Sequence, residues 1–239
     1  MINCIKADLF RIIKKKSIMV LLLVQCLIII GTGIAAFKFS IPEFSTVSLW
    51  SGSFSTIALL NGIAIFIAIF KNDFKSRALQ TAIGFGVSRT KIILSRFIEM
   101  ILLLALHLAI YSIIIILMAT VGHMPMADIK ELLKLLWVER MAMVFYLILG
   151  MIFVYAFEAT TVGLIVYICA TLSVIDLLIV SINFIPALKN LKLGEYTITG
   201  LIDQIMEGHL KMWPVLIIGY GVVPIVISIL AFRKKELEI

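Results

Sequence analysis

The feature that most constrains this sequence is a series of long apolar segments. The first covers residues 17–37 and contains no charged side chain. Because the hydrocarbon core of a bilayer is about 30 Å thick, a helix needs about 20 apolar residues to cross it. Since 62% of the 239 residues are hydrophobic and only 15% are charged, a bilayer rather than water is the expected solvent.

Six such segments predict an all-α integral membrane protein with a single transmembrane domain over residues 1–239. The predicted spans are 17–37, 50–70, 97–120, 141–157, 161–184 and 212–232. A signal peptide is the alternative for the first segment. Its apolar core is normally only ~7–15 residues long, so a retained span is favoured.

Three further segments have helical periodicity without being long enough or apolar enough to span. In residues 2–16 apolar side chains recur at steps of three and four with mainly basic side chains between them, which predicts an amphipathic helix at the membrane surface with its cationic face toward lipid headgroups. Residues 128–139 and 184–211 are predicted to form short helices in or near the outer interface.

The basic residues predict the orientation of the chain. When the N-terminus is placed inside, twice as many of the 21 basic residues fall in inner segments as in outer ones. Cytoplasmic loops carry this excess in membrane proteins, so both termini are expected in the cytoplasm, in the plasma membrane of a bacterium. The same placement explains the net charge of +7, and nucleic acid is not an expected partner.

The inner segment between spans two and three carries the strongest functional signal. Residues 72–83 have helical periodicity, Gly84 is a candidate C-cap, and Ser88 can N-cap the next helix. This pattern predicts a helical knob that inserts into a groove of a cytoplasmic partner, with Phe74 and Leu79 as apolar anchors. An ordinary charged inner loop is the alternative.

This stretch resembles the coupling region of type-2 ABC exporter permeases (the ABC-2 type). The matching residues are Asp73, Arg77, Leu79, Gln80, Gly84, Gly86, Ser88, Arg89, Lys91 and Arg96. Where the family often has Glu, this chain has Asp73. The resemblance also covers the amphipathic start, the six spans and the short turn between spans four and five.

The resemblance implies that two permeases, identical or related, form a dimer and that each docks on a cytoplasmic ABC ATPase subunit. The residues implied in ATPase contact are Asp73, Phe74, Lys75, Arg77, Leu79, Gln80, Gly84, Ser88 and Arg89. ATP-driven motion of this segment would shift spans one, two and five. The implied substrate is hydrophobic or amphipathic, such as an antimicrobial or cytolytic peptide, as in lantibiotic-immunity and phenol-soluble-modulin exporters; a lipid or antibiotic drug is the alternative.

The chain itself is not expected to be an enzyme. It lacks the GxxxxGK[ST] loop that cradles nucleotide phosphates, so ATP and magnesium would be bound by the partner and no cofactor by this chain. The three histidines fall in different segments, without a metal or nucleophile motif. An intramembrane hydrolase or metalloprotease is therefore the weakest reading.

Two polar residues inside predicted spans are candidates for the transport pathway. Asp176 would line the substrate path, couple protons, or hydrogen-bond a neighbouring helix while neutral. His107 favours an interhelical hydrogen bond over a metal site. Two other functions remain open: a membrane scaffold or sensor coupled to an ATPase, and an ion-driven secondary transporter, which would show more buried charge and an internal repeat.

Overall fold

The computed structural model describes residues 2–38, 46–71, 73, 78–182, 185 and 192–234, and within these ranges the chain forms helices and no strand. Two 3₁₀ turns (Leu193–Tyr196 and Leu210–Met212) and a π-helical segment (Ile217–Val222) accompany the α-helices. The α-helices are α1 (Ile2–Ile13), α2 (Lys16–Lys38), α3 (Thr46–Phe70), α4 (Ala78–Gly84), α5 (Arg89–Val121), α6 (Met126–Phe157), α7 (Thr160–Thr171), α8 (Val174–Ser181), α9 (Ile198–Met206), α10 (Trp213–Leu216) and α11 (Val223–Lys234). The predicted all-α class is confirmed.

In the described part of the chain, five helical segments are long and apolar enough to cross a membrane, which is the pattern of a multi-pass membrane protein. They are Lys16–Lys38, Val47–Phe70, Arg89–Val121, Met126–Phe157 and Trp213–Arg233. These segments correspond to predicted spans one to four and six. The turn predicted between spans four and five is confirmed, because α6 ends at Phe157 and α7 begins at Thr160.

The predicted fifth span, 161–184, is not one continuous helix. It consists of α7 and α8, which are bent by 69° at a short break. The 12 residues of α7 extend only about 18 Å at a rise of 1.5 Å per residue, which is less than the hydrocarbon core. Among the described residues there are therefore five unbroken helices that are long and apolar enough to span, and six if the bent pair is counted as one span.

The break follows from the backbone at Ser173. This residue adopts a left-handed conformation with φ 56°, which closes α7 and redirects the chain. The amides of Leu172 and Ser173 donate back to the carbonyls of Ile168 (2.9 Å) and Ala170 (3.0 Å). The next helix then restarts, with the amide of Leu177 donating to the carbonyl of Ser173 at 2.9 Å.

The amphipathic segment 128–139 was predicted to be a separate short helix. It is instead the first half of the long helix α6. Ile129, Leu132 and Leu136 are buried in a core with residues of α2, α3 and α5. The same apolar spacing suits an interfacial helix and a helix packed on its neighbours. Packing against other helices therefore decided the outcome, which periodicity could not.

The backbone divides into two compact units. The first consists of Met1–Ala68 and Ile98–Met141, and the second of Ile69–Phe97 and Ala142–Ile239. In the first unit, Trp50 is fully buried and its indole nitrogen donates to the carbonyl of Ile29 at 3.2 Å. A side chain at Gly33 would overlap the Trp50 ring, so glycine permits this close packing of α2 on α3.

In the second unit, the last spanning segment contains the π-helical turn Ile217–Val222 just before Pro224. A proline inside a helix lacks an amide hydrogen, and its ring clashes with the carbonyl four residues earlier. A wider turn relieves that clash and lets the helix continue to Lys234. The hydroxyl of Tyr220 in this turn donates to the carbonyl of Tyr196 at 2.7 Å.

Candidate functional site

The predicted docking segment lies in the second unit, between the end of α3 and the first turns of α5. Helix α4 ends at Gly84, as predicted, but the left-handed residue that reverses the chain is Gly86, with φ 82°. The amides of Gly86 and Val87 donate to the carbonyls of Ile83 (2.9 Å) and Ala82 (3.0 Å). This pair of bonds is the Schellman motif, so the role predicted for Gly84 belongs to the glycine two positions later.

The start of α5 is capped by Ser88, as predicted. The amide of Lys91 donates to the Ser88 hydroxyl oxygen at 3.4 Å, and the amide of Ile92 donates to the Ser88 carbonyl at 3.2 Å. A hydroxyl at this position satisfies an amide that has no partner within the helix. The C-cap of α4 and the N-cap of α5 therefore define a short turn with a fixed geometry.

A buried ion pair ties the end of α3 to α5. Arg96 donates through Nε to one carboxylate oxygen of Asp73 at 3.0 Å and through Nη2 to the other at 2.7 Å. Asp73 is 4% exposed and Arg96 is 9% exposed. Two parallel charge-assisted bonds fix orientation as well as distance. Both carboxylate oxygens of Asp73 are thus engaged within the chain, a role that the sequence did not reveal.

Arg89 binds the carboxyl-terminal end of α11. Its Nη1 donates to the carbonyls of Phe232 (2.8 Å) and Arg233 (3.0 Å), and its guanidinium lies 5.5 Å from the centre of the Phe232 ring. The last carbonyls of a helix have no partner within the helix and carry partial negative charge. Arg89 therefore joins the start of α5 to the end of the last spanning segment.

An aromatic cluster lies beneath this contact. Tyr155 of α6 packs against Phe232 at 5.0 Å and against Phe70 at 6.1 Å between ring centres, and all three side chains are fully buried. The Thr160 hydroxyl, at the start of α7, donates to the carbonyl of Phe70 at 3.0 Å. The ends of α3, α6 and α11 and the start of α7 are therefore packed into one assembly.

The turn between α4 and α5 exposes one large apolar side chain. Phe85, between Gly84 and Gly86, is 84% exposed, whereas Leu79 is 4% exposed. An exposed aromatic side chain at the tip of a rigid turn is a suitable anchor for a partner. Leu79 has little surface left for that role. An aromatic residue between two glycines was the signal in the sequence that could have identified Phe85.

Four other residues of the predicted ATPase-contact set cannot be placed in this way. Phe74, Lys75 and Arg77 lie outside the described residues, and so does the side chain of Gln80, although its backbone belongs to α4. Their contact with an ATPase stays a prediction.

Asp176 belongs to α8, beyond the break, and not to the middle of a continuous span. Its Oδ2 accepts a hydrogen bond from the Thr199 hydroxyl of α9 at 2.5 Å. Thr197 caps α9, with its hydroxyl oxygen accepting from the amide of Gly200 at 3.1 Å. A side chain at Gly200 would overlap the carbonyl oxygen of Gly194. Asp176 thus connects α8 to α9 by a hydrogen bond. A part in a substrate path or in proton coupling stays a prediction.

His107 lies in the first unit, within a group of buried polar side chains. Its ring stacks on Tyr111 at 6.0 Å between centres, the Tyr111 hydroxyl donates to Oε1 of Gln25, and the Arg140 guanidinium lies 5.1 Å from the centre of the Tyr111 ring. The sequence placed Arg140 just outside the fourth span. In the structure it is a buried residue in the interior of α6.

Within the part of the chain that the structure describes, no group of three or more His, Cys, Asp or Glu side chains is arranged to hold a metal ion. In comparisons with known proteins, the chain matches no family model, and no curated protein is significantly similar to it.

Proposed function

We propose that this chain is the membrane-spanning permease subunit of an ATP-driven ABC exporter, located in a bacterial plasma membrane with both termini in the cytoplasm. It works as a dimer with a second copy or a related permease. A separate ABC ATPase subunit binds ATP and magnesium. The substrate is hydrophobic or amphipathic, such as an antimicrobial or cytolytic peptide.

The observation that carries this proposal is the braced turn between α4 and α5. Its two caps fix the backbone, the Asp73–Arg96 pair holds its base, and Phe85 is exposed at its tip. Exposed apolar side chains on rigid elements are typical anchors of protein interfaces. A partner that binds Phe85 would therefore push on a segment that cannot absorb the force by bending locally.

Arg89 and the aromatic cluster supply the route by which such a force reaches the spans. Arg89 holds the carbonyls of Phe232 and Arg233, and Tyr155 packs on both Phe232 and Phe70. Because closely packed interiors transmit displacement, movement of the turn shifts the adjoining ends of α3, α6, α7 and α11. Of the spans implied by the resemblance, this set includes span two (α3) and the first part of span five (α7) but not span one, and it adds α6 and α11.

The test uses the full-length chain co-expressed with cytoplasmic ABC ATPases, one at a time, followed by purification through a tag on the permease. Wild-type protein is expected to retain one ATPase, whose hydrolysis rate rises on addition of an amphipathic peptide. Phe85→Asp is expected to lose the ATPase, because a charge replaces the apolar anchor. Val121→Asp is the matched control, since Val121 is also an exposed apolar residue but lies outside the turn.

A second variant separates docking from transmission. Arg89→Gln removes the charge that holds the end of α11 and leaves Phe85 in place, so it is expected to retain the ATPase and lose the peptide stimulation. If no ABC ATPase co-purifies with the wild-type chain, or if Phe85→Asp and Val121→Asp behave alike, the exporter proposal is wrong.

An ion-driven secondary transporter is the second candidate, and two buried charged residues favour it. Glu99 in α5 and Arg140 in α6 are almost entirely buried, and ionisable groups within spans often mark ion pathways. Uptake of a fluorescent amphipathic peptide into vesicles containing only this chain would distinguish the two functions. Uptake driven by a proton or sodium gradient without an ATPase supports the second candidate.

A further inference from the structure

A narrow cleft in the first unit lies among α1, α2, α3 and α5. Its walls are aliphatic, with Ile12, Ile65 and Leu103 among them, except for two polar side chains, Gln25 and His107. Its volume is about 10 Å³, close to the ~10–15 Å³ that a single water molecule requires. The cleft is therefore too small for a peptide or a lipid chain and large enough for one water.

Each of these two polar side chains has a buried hydrogen-bonding atom that is not used within the described part of the chain. Gln25 is fully buried and His107 is 4% exposed, and neither Gln25 Nε2 nor His107 Nδ1 has a hydrogen-bond partner among the described residues. The other end of the Gln25 amide is already engaged, because its Oε1 accepts from the Tyr111 hydroxyl. This bond leaves the amide NH₂ as the group that needs a ligand.

The two atoms have complementary chemistry. The Gln25 amide is a donor, and an imidazole Nδ1 that carries no proton is an acceptor. A ligand that satisfies both must accept one hydrogen bond and donate another, which a water molecule does. Since no bulk water reaches the interior of a helical bundle in a membrane, unpaired polar atoms there are especially costly.

We propose that this cleft binds one water molecule as a structural ligand, which bridges Gln25 Nε2 of α2 and His107 Nδ1 of α5. The water joins the first and third predicted spans near their middle, beside the stacked ring of Tyr111. Buried waters of this kind satisfy polar groups that the protein itself leaves unpaired. This inference does not depend on the proposed transport function.

The proposal is tested by filling the cleft with a larger side chain and measuring whether the Tm falls or rises. Ala64 and Ala68 line the cleft, so Ala64→Val adds methyl groups where the water would lie. With a bound water, the substitution expels it and is expected to lower the Tm by roughly 2–8 °C. A dry apolar cleft would instead gain packing, and the Tm would rise or stay the same, which would overturn the proposal.

The same substitution in a second variant of the chain distinguishes the loss of a bound water from steric overcrowding of the core. Ala64→Val is also made in a Gln25→Leu/His107→Phe/Tyr111→Phe chain, which lacks both unpaired atoms and also the Tyr111 hydroxyl that would otherwise lose its acceptor on Gln25. The Tm loss is expected to disappear there. An equal loss in both backgrounds would mean overcrowding alone and would likewise contradict the bound water.

Nuclear magnetic resonance provides a measurement that needs no altered core. The chain has three histidines, and replacing His123 and His209 with Gln leaves His107 as the only ¹⁵N-labelled imidazole. A magnetisation-transfer peak between bound water and the His107 ring is expected, and Ala64→Val is expected to abolish it. The resonance of an Nδ1 without a hydrogen bond in the unfilled chain would refute the proposal.

Discussion

Two connections in the second unit interrupt the spanning helices, and they are built in opposite ways. The turn between α4 and α5, which we name the inner turn for its predicted cytoplasmic side, is held by the Asp73–Arg96 ion pair and by Arg89 on the end of α11. The bend between α7 and α8, which we name the outer bend because it leads to the segment predicted at the outer interface, is held among the described residues by a side-chain hydrogen bond from Thr199 to Asp176. The inner turn places a glycine in its left-handed position, whereas the outer bend places Ser173 there.

The difference indicates how each connection responds to force. Bidentate charge-assisted bonds and helix caps hold the inner turn in one geometry. Helix α8 has no buried side chain, so little tertiary packing opposes its movement. The residue at the bend itself, Ser173, is a non-glycine residue in the left-handed conformation. We therefore expect the inner turn to move as a rigid body and the outer bend to change its angle.

The largest expected effect comes from breaking the inner ion pair. Asp73→Ala is expected to lower the free energy of unfolding by about 3–5 kcal/mol, because both charge-assisted bonds between the buried Arg96 guanidinium and the carboxylate are lost. The measurement is denaturant unfolding in detergent micelles. Asp8→Ala is the control, since it breaks a partly exposed pair with Arg11 at 2.9 Å and is expected to cost only about 0–1 kcal/mol. Equal losses would show that the inner pair does not brace the turn.

The next effect concerns the close approach of backbone segments beside the outer bend. Gly200→Ala is expected to cost about 1–3 kcal/mol, because its Cβ would overlap the carbonyl oxygen of Gly194. Gly31→Ala in α2 is the control, because no atom lies within 4 Å of the added Cβ, and it is expected to stabilise by about 0.5–1 kcal/mol. The same denaturant unfolding experiment measures the change in unfolding free energy for both variants. A stabilising Gly200→Ala would contradict the packing described.

A smaller effect is expected from the side-chain hydrogen bond that joins α8 to α9. Thr199→Val removes the donor to Asp176 and is expected to cost about 1–2 kcal/mol, together with faster amide hydrogen exchange in α8. Thr171→Val serves as the comparison, since the Thr171 hydroxyl only bonds the carbonyl of Tyr167 in its own helix at 2.9 Å. Unchanged exchange in α8 after Thr199→Val would mean that other contacts fix the bend.

The smallest effects are expected from the same substitution in the two connections. Ser173→Gly relieves the left-handed conformation and is expected to stabilise by about 0.5 kcal/mol. Ser88→Gly removes a capping hydroxyl and is expected to cost a few tenths of a kcal/mol, since glycine is itself tolerated at an N-cap. In parallel thermal unfolding experiments, a rise in stability for Ser173→Gly and a fall for Ser88→Gly would support the contrast between the two connections. A stabilising Ser88→Gly would show that the Ser88 cap does not strengthen the inner turn.

Local features of the site were predictable, and contacts between distant residues were not. Ser88 was identified as an N-cap because capping depends on residues within one turn of a helix. The C-cap was assigned to Gly84 instead of Gly86 because both glycines suit the position and the hydrogen bonds decide between them. The pairing of Arg89 with the end of α11 joins residues 143 and 144 positions apart, a distance at which the sequence carries no local signal.

By itself, the sequence determined that the chain is helical and apolar enough to enter a membrane, because a bilayer requires long apolar helices and these are visible in composition and length. It also determined the positions of most of these long apolar helices and the N-cap of α5 at Ser88. Only the tertiary structure decided that 128–139 extends α6, that the fifth span is bent at Ser173, and that Asp73 binds Arg96. These outcomes depend on which surfaces pack together, and the same periodicity or charge is compatible with several neighbours until packing selects one.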